Sequence, residues 1–313
     1  MRYFSQIDEP VADPSYLAVA LVAEAAQTSC KGLLTGDGAD DLFAGYSFFR
    51  AVPTLTFTSR YVPRSLLKFA EQYLHGLEAG NRDLALGSVM QMLSRCTRVA
   101  PEWQHAFATS ALVPEELSLL LRQEARSLAI WPLDDEPPAA VEPIRRAQLG
   151  LIRSFLQARI LTKLDRASMV HGVELRNPFL DQDVAEFALS LNTGLLINGS
   201  ETKAALRKTA EDFLPEEILN RKKKGFRVPI RRLLSGPLRE LLLDILSPAA
   251  LGRHSIFDSD KIQLLLHEHL KLGIDRSKPL WALLAFSIWQ RTFGAEFTGP
   301  PVHATRLPED VCG

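Results

Sequence analysis

The segment LLTGDGADDLFAGY, residues 33–46, carries the decisive pattern of the chain. Two leucines and a threonine run into a turn hinged by Gly36 and Gly38, which gathers Asp37, Asp40 and Asp41 within five residues. Just upstream, YLAVALVAEAA (residues 16–26) is apolar on nearly every face, which predicts a buried helix. Asp13 stands in the N-cap position and Pro14 in the first helical position. Gly32 to Thr35 then reads as a short buried strand. A helix, a strand and a glycine-rich turn in that order predict an α/β unit with a parallel sheet. Such sheets bind ligands beyond the carboxyl ends of their strands, where this acidic loop lies.

Composition sets the bounds. The 313 residues are 46% hydrophobic and 23% charged, with net charge −1, enough to bury one large core or two modest ones. A balanced charge argues against nucleic acid or an anionic membrane as the main partner. The most apolar segment, Leu280 to Trp289, is too short to cross a bilayer and reads as a core helix. The first residues, MRYFSQIDEP, contain no apolar export signal. Cys30, Cys96 and Cys312 are scattered, with no CxxC pair, as in a reduced cytoplasmic protein.

Beyond residue 46 the pattern is overwhelmingly helical. It runs from Phe48 to about Arg126 with breaks at Pro53, Pro63 and Pro101, and resumes from Ile144 to Met169. Between these lies WPLDDEPPAAVEP (131–143), an acidic, proline-rich surface connection. Asp181 is placed to cap a helix with Val184, Phe187, Ala188 and Leu191 on one face. Ser200 is placed to cap another that ends at Leu214-Pro215, and Leu238, Leu241, Leu242, Ile245 and Leu246 form a further apolar stripe. The tail from Thr298 has the composition of a disordered segment. One strand is evident, and one strand does not make a sheet.

Three charged clusters carry the chemistry. In the loop, crowded carboxylates raise one another's pKa unless a cation neutralises them. Mg²⁺ favours one or two carboxylates together with phosphate oxygens, so a magnesium nucleotide suits the loop. A solvated turn with Asp40 or Asp41 capping the next helix suits it equally on this chemistry. A calcium EF-hand does not, because Ala39, Leu42 and Phe48 fall where such a loop needs an acid, a glycine and a glutamate. The second cluster, KLDRASMVHGVELRNPFLD (163–181), alternates Asp165, Arg166, Glu174, Arg176 and Asp181, as a buried salt-bridge network fixing two helices would. The third, NRKKKGFRVP (220–229), is either a solvated basic run or a rigid clamp for a triphosphate. His267 and His269 sit two apart, on different sides of a helix, and do not form a metal pair.

With these clusters in view, the chain resembles the synthetase domain of glutamine-hydrolysing asparagine synthetases. Thr35 to Tyr46 is similar to that family's SG[ED]G-[SG]-DE-[LV]-FGGY loop, and IDEPVADPS to its DEP-x-x-DPS approach. LDRASMVHGVELRNPFLD resembles its D-R-x-x-M…E-x-R-x-PFLD block, and ETKAALRKTAEDFLPEEILNRKKKGFRVP its K-x-x-LR…R-x-K-x-GF-x-x-P block. LWALLAFSIW resembles its last tryptophan-rich helix. The matches keep the family's order from about residue 7 to 293.

The resemblance implies an ATP-dependent amide ligase of predominantly helical α/β fold, a PP-loop ATPase domain over residues 1–297 followed by a disordered tail, 298–313. A side-chain carboxylate of aspartate would be activated as an acyl-adenylate, and glutamine-derived ammonia would displace AMP. Thr35, Gly36 and Gly38 would lie against ATP, Asp37 would support adenylate formation, Asp40 would hold Mg²⁺, and Lys223 would stabilise the transferring phosphate. A homodimer is compatible with the family's habits.

Two family parts are not found in this sequence. There is no SGG-x-DS pyrophosphate loop, and residue 2 is Arg where the family's glutaminase nucleophile would be Cys. The chain therefore reads as an N-terminally truncated synthetase domain, inactive alone, whose first strands lie elsewhere. Half of a split enzyme, a non-catalytic scaffold homologue, or a related ligase acting on another carboxylate are the competing expectations.

Overall fold

The structure, a computed structural model, describes residues 7–63, 66, 96, 104–128, 141–199, 201–219, 221, 228–252 and 256–294. Lys223, Cys312, Pro101, Ser200, most of the 131–143 connection and the tail from Thr298 lie outside the described residues.

The chain enters along α1 (Ser15–Ala26) and passes into β1 (Gly32–Leu34), the acidic turn, α2 (Ala39–Leu42) and α3 (Ser47–Tyr61). Pro14 already has helical dihedrals (φ −65°, ψ −21°), and the Asp13 carboxylate accepts from Ser15 N–H at 2.9 Å, so the expected cap is present. Pro53 does not break α3, contrary to expectation. A single missing N–H is outweighed by Phe49, Val52 and Leu55, which are all buried on one face. The break comes at Pro63, where Val62 is extended as a residue before proline must be.

Short helices α4 (Gln104–Thr109) and α5 (Pro114–Leu120) follow. A long helical rod then runs as α6 (Pro143–Leu151), a π-helical stretch (Ile152–Leu161) and α7 (Thr162–Met169). At Gly172 (φ +64°) the chain reverses into β2 (Glu174–Arg176). Strand β2 pairs in parallel with β1, Gly32 opposite Glu174 and Leu34 opposite Arg176. The parallel pairing agrees with expectation. The strand itself was not legible, because three residues inside a charged run carry no alternation. Among the described residues the two form a two-stranded sheet.

Two corrections concern burial. The helix α1 covers only one stripe, Tyr16, Ala20 and Ala23, while Leu21 and Val22 are more than half exposed. Strand β1 is not buried either, and Leu34 is 77% exposed. Among the described residues β1 has one strand neighbour, which leaves its other edge without a paired strand there.

Beyond β2, Asp181 caps α8 (Gln182–Ser190) as expected, accepting from Asp183 N–H at 3.1 Å. Then come α9 (Thr193–Leu196), the β3–β4 hairpin (Ile197–Asn198, Glu201–Thr202), α10 (Ala204–Ala210) and α11 (Glu216–Leu219). Helix α10 starts behind Lys203 rather than Ser200. The C-terminal helices α12 (Ile230–Ser235), α13 (Arg239–Ile245), α14 (Pro248–Leu251), α15 (Ser259–Leu270) and α16 (Ser277–Phe293) complete the chain.

Two clusters make most of the core. One joins α1 to α13–α16 around Leu242, Ile245, Leu246, Leu280 and Trp281. The stripe on α13 and the helix at 280–289 are thus where the sequence placed them. Gly294 (φ +63°) closes α16, its N–H reaching Gln290 O. The second cluster, Phe43, Phe48, Phe49, Leu55, Phe107 and Leu151 among others, lies under the acidic turn.

The ion-pair network expected within residues 163–181 is instead a set of exposed pairs, one of which reaches Asp8, 158 positions upstream. Arg166 bonds Asp8 and Asp165, and Arg176 bonds Glu174. The buried network centres on Asp13, whose carboxylate meets Arg159 at 3.1 Å and Lys163 at 3.6 Å and also accepts from the Ser15 hydroxyl. It clamps the start of α1 to the rod. Burial raises the Asp13 pKa, but Arg159, Lys163 and the Ser15 bonds outweigh it and hold the carboxyl below its ordinary value.

A folded pKa below the unfolded one stabilises above the unfolded value, and that contribution is lost as pH falls through the folded value. Asp13→Asn should therefore cost about 3 kcal/mol at pH 7, a penalty that shrinks below about pH 4. Urea unfolding at pH 7 and pH 3.5 measures it. A variant equal to wild type at pH 7 would refute the clamp.

Candidate functional site

The acidic turn leaves the carboxyl end of β1, as a parallel sheet requires of a ligand site. Thr35 N–H extends the ladder to Arg176 O at 2.8 Å. The Thr35 hydroxyl then donates to the Asp37 carboxylate at 2.9 Å and also contacts the Asn177 side chain. Asn177 lies within the 163–181 block, whose expected role was a salt-bridge network fixing two helices. Its contact with Thr35 places a polar side chain at the turn itself.

Gly38 needs its glycine twice over. Its φ is +87°, and a Cβ there would lie 2.3 Å from Leu180 Cδ2. Leu180 belongs to the 3₁₀ turn just after β2, so the second strand also shapes the loop. Gly36 is different. Among the described residues nothing lies within 4 Å of a Cβ built there, and the residue is exposed.

Asp40 and Asp41 sit in the first turn of α2 but do not cap it; Gly38 holds the cap position without a side-chain bond. The two acids have different surroundings. Asp41 is 1% exposed and accepts from Tyr46 Oη at 3.0 Å. Burial pushes its carboxyl up to about 7; the Tyr46 bond opposes this, and the charges of Asp40 and Asp37 add to it. Tyr46 is raised in turn, by burial and then by Asp41 and Asp40. Asp40 instead meets a cation, Lys203 Nζ, 2.8 Å from Oδ1.

Lys203 was quoted in the sequence but not singled out. It and Arg207 belong to one helical start. Arg207, about 6 Å of helical rise further along, hydrogen-bonds the Leu219 carbonyl. That carbonyl directly precedes the basic segment 220–226, so α10 links the acidic loop to the root of that segment. Of the expected site residues, Thr35, Gly36, Asp37, Gly38 and Asp40 are together on one turn.

As for a metal, no group of three His, Cys, Asp or Glu ligands occurs among the described residues. Asp40, with Asp37 nearby in sequence, offers one or two carboxylates. That donor set fits a Mg²⁺ whose other oxygens come from phosphates, and not a free-standing metal centre. His269 is a structural residue. Its Nδ1 accepts from Arg276 N–H at 3.2 Å, so Nε2 carries the proton and faces Ser235 Oγ at 3.3 Å. This tautomer cannot take a proton from Ser235, although Asp275 lies 4.0 Å from Nδ1. A cleft of about 270 Å³ between Pro53, Phe57, Tyr61 and Pro143 contains no residue of the acidic loop. Its one carboxylate, Glu142, is committed to capping α6. Among the described residues no helix is long and apolar enough to cross a membrane.

Comparison with known proteins identifies a family. The asparagine synthase family profile matches residues 2–291. A Bacillus subtilis asparagine synthetase (glutamine-hydrolysing) is 30% identical over 97% of this chain and 47% of its own length. The mouse asparagine synthetase is 47% identical over 68 residues, covering 20% of this chain. A Gibberella zeae protein named amidase chry2 is 24% identical over 79% of this chain. The chain spans about half the length of the curated relatives it matches along its whole extent.

The two loop glycines should respond differently to a methyl group. Gly38→Ala should cost about 1–3 kcal/mol through its positive φ and the Leu180 contact, whereas Gly36→Ala should stay within about 0.5 kcal/mol of wild type. Urea denaturation of both variants checks this, and equal costs would contradict the loop geometry.

Proposed function

The chain belongs to the asparagine synthase family, and from that premise we propose that it is the ATP-using part of an amide ligase. A carboxylate is a poor electrophile because its charge is delocalised. In the proposed reaction a carboxylate oxygen attacks the α-phosphorus of ATP, and the bond to pyrophosphate breaks. The resulting acyl-adenylate carries a good leaving group. Ammonia then attacks the acyl carbon, AMP departs, and a proton is lost to give the amide. The acid is the side chain of aspartate or a similar carboxylate, and the ammonia comes from a glutaminase domain of the kind implied by the relatives' names.

One observation carries the reading most directly: a glycine-hinged acidic turn at the carboxyl end of a parallel strand, open at Gly36. Open backbone there can approach phosphates closely. In this reading Thr35, Gly36 and Gly38 line the nucleotide, with the Thr35 hydroxyl already oriented by Asp37 and Asn177. Asp37 supports formation of the adenylate and the ammonia step. Lys223, on the segment rooted at Leu219, stabilises charge on the transferring phosphate. Mg²⁺, held by Asp40, would neutralise charge building on the departing pyrophosphate.

The remainder of the sheet and the pyrophosphate cradle are proposed to come from polypeptide that the relatives possess outside the matched span. The edge of β1 that has no paired strand among the described residues, and the exposed Leu21, Val22 and Leu34, support this. The domain alone is then inactive. Some relatives, 24% identical, are named amidases rather than asparagine synthetases, and a second reading has the same activation serve a carboxylate other than aspartate.

In the assembled ligase, Asp37→Ala and Lys223→Ala should each lower carboxylate-dependent pyrophosphate release about 100-fold or more, with glutamine hydrolysis unchanged. Pyrophosphate release with a panel of acids measures both points. Undiminished release in either variant would overturn that residue's role.

A further inference from the structure

The acidic loop is built around a cation that belongs to the chain itself. Lys203 Nζ lies 2.8 Å from Asp40 Oδ1, and both side chains are about three-quarters covered. Two independent features hold this contact. Lys203 has φ +58°, a left-handed conformation that a residue with a side chain adopts only under constraint. It sits between β4 and α10, and that backbone turn is part of what sends the side chain to the loop. From the other side, Gly45 leaves room for the pair. A Cβ at residue 45 would lie 2.0 Å from Asp40 Oδ1 and 2.3 Å from Lys203 Cε. The ion pair fills the space that any side chain at 45 would need.

Neither constraint is needed for a surface salt bridge of ordinary worth. Both are explained if Asp40 must stay ionised and correctly placed before its ligand arrives. An ammonium is a compact charge on a flexible stem, well suited to leave again. A divalent cation at similar distance attracts the carboxylate more strongly than a monovalent one.

We propose that Lys203 is a positioning residue of the nucleotide site and its exchangeable cation: it neutralises Asp40 in the empty loop, yields the carboxylate to the divalent cation that accompanies a nucleotide, and then presents its ammonium to the phosphates. The proposal rests on the nucleotide reading above, and its test separates the two.

The full chain is acetylated briefly with acetic anhydride, and modification of Lys203 is compared by mass spectrometry with that of Lys208, which is 79% exposed on α10. Lys203 should be protected in metal-free buffer. Millimolar Mg²⁺ should raise its labelling several-fold with Lys208 unchanged, and Asp40→Asn should do the same without Mg²⁺. Protection that Mg²⁺ does not relieve would make the pair a fixed structural contact and overturn the exchange. Calorimetry gives a second readout that does not depend on the Asp40 variant. Lys203→Met should bind Mg²⁺ several-fold more tightly than wild type, and Lys203→Arg should restore competition; an unchanged Mg²⁺ affinity in Lys203→Met would again overturn the exchange. ATP binding to the assembled ligase is measured alongside. Mg²⁺-driven release of Lys203 without any ATP binding would support the exchange and count against the nucleotide reading.

Discussion

The site depends on the parallel pairing of Gly32–Leu34 with Glu174–Arg176. These segments lie more than 140 residues apart, and the hydrogen bonds Glu174 N–H to Lys31 O and Thr35 N–H to Arg176 O fix their register. That register sets Asn177 beside the Thr35 hydroxyl and brings Leu180 over Gly38. A one-residue slip would turn every side chain to the opposite face and dismantle the turn. The Asp13 clamp, which ties α1 to the rod leading into β2, supports the same arrangement from behind.

Around this scaffold the turn resolves its crowding of charge in two ways. Asp41 is buried against Tyr46 and shifts toward the neutral acid. Asp40 keeps a partner charge in Lys203. A loop holding three acids can therefore fold before any ligand neutralises it. The cost appears as backbone strain at Lys203 and at Ala44 (φ +52°), which sits where the resembled family pattern has glycine.

Much of this was legible in the sequence where a local rule sufficed. The Asp181 cap, the apolar stripe from Leu238 to Leu246 and the core helix at Leu280–Trp289 follow from side-chain chemistry and helical period. The turn at Gly36–Gly38 announced itself through glycine spacing. Strand β2 did not, because its fold depends on a partner far away in the chain. The Lys203–Asp40 pair was hidden for the same reason: a lone lysine before a helix has no pattern that points 163 positions upstream. Burial of α1 and β1 was misjudged because hydrophobicity reports what a segment can cover, and the neighbour that covers it is a separate fact.

The most direct test of the account is hydrogen–deuterium exchange on the assembled ligase with and without magnesium ATP. The acidic turn and the basic segment are proposed to meet one nucleotide, so amides at residues 35–38 and 221–226 should gain protection together. Protection confined to other regions, or none at either segment, would contradict the assignment of this loop as the nucleotide site.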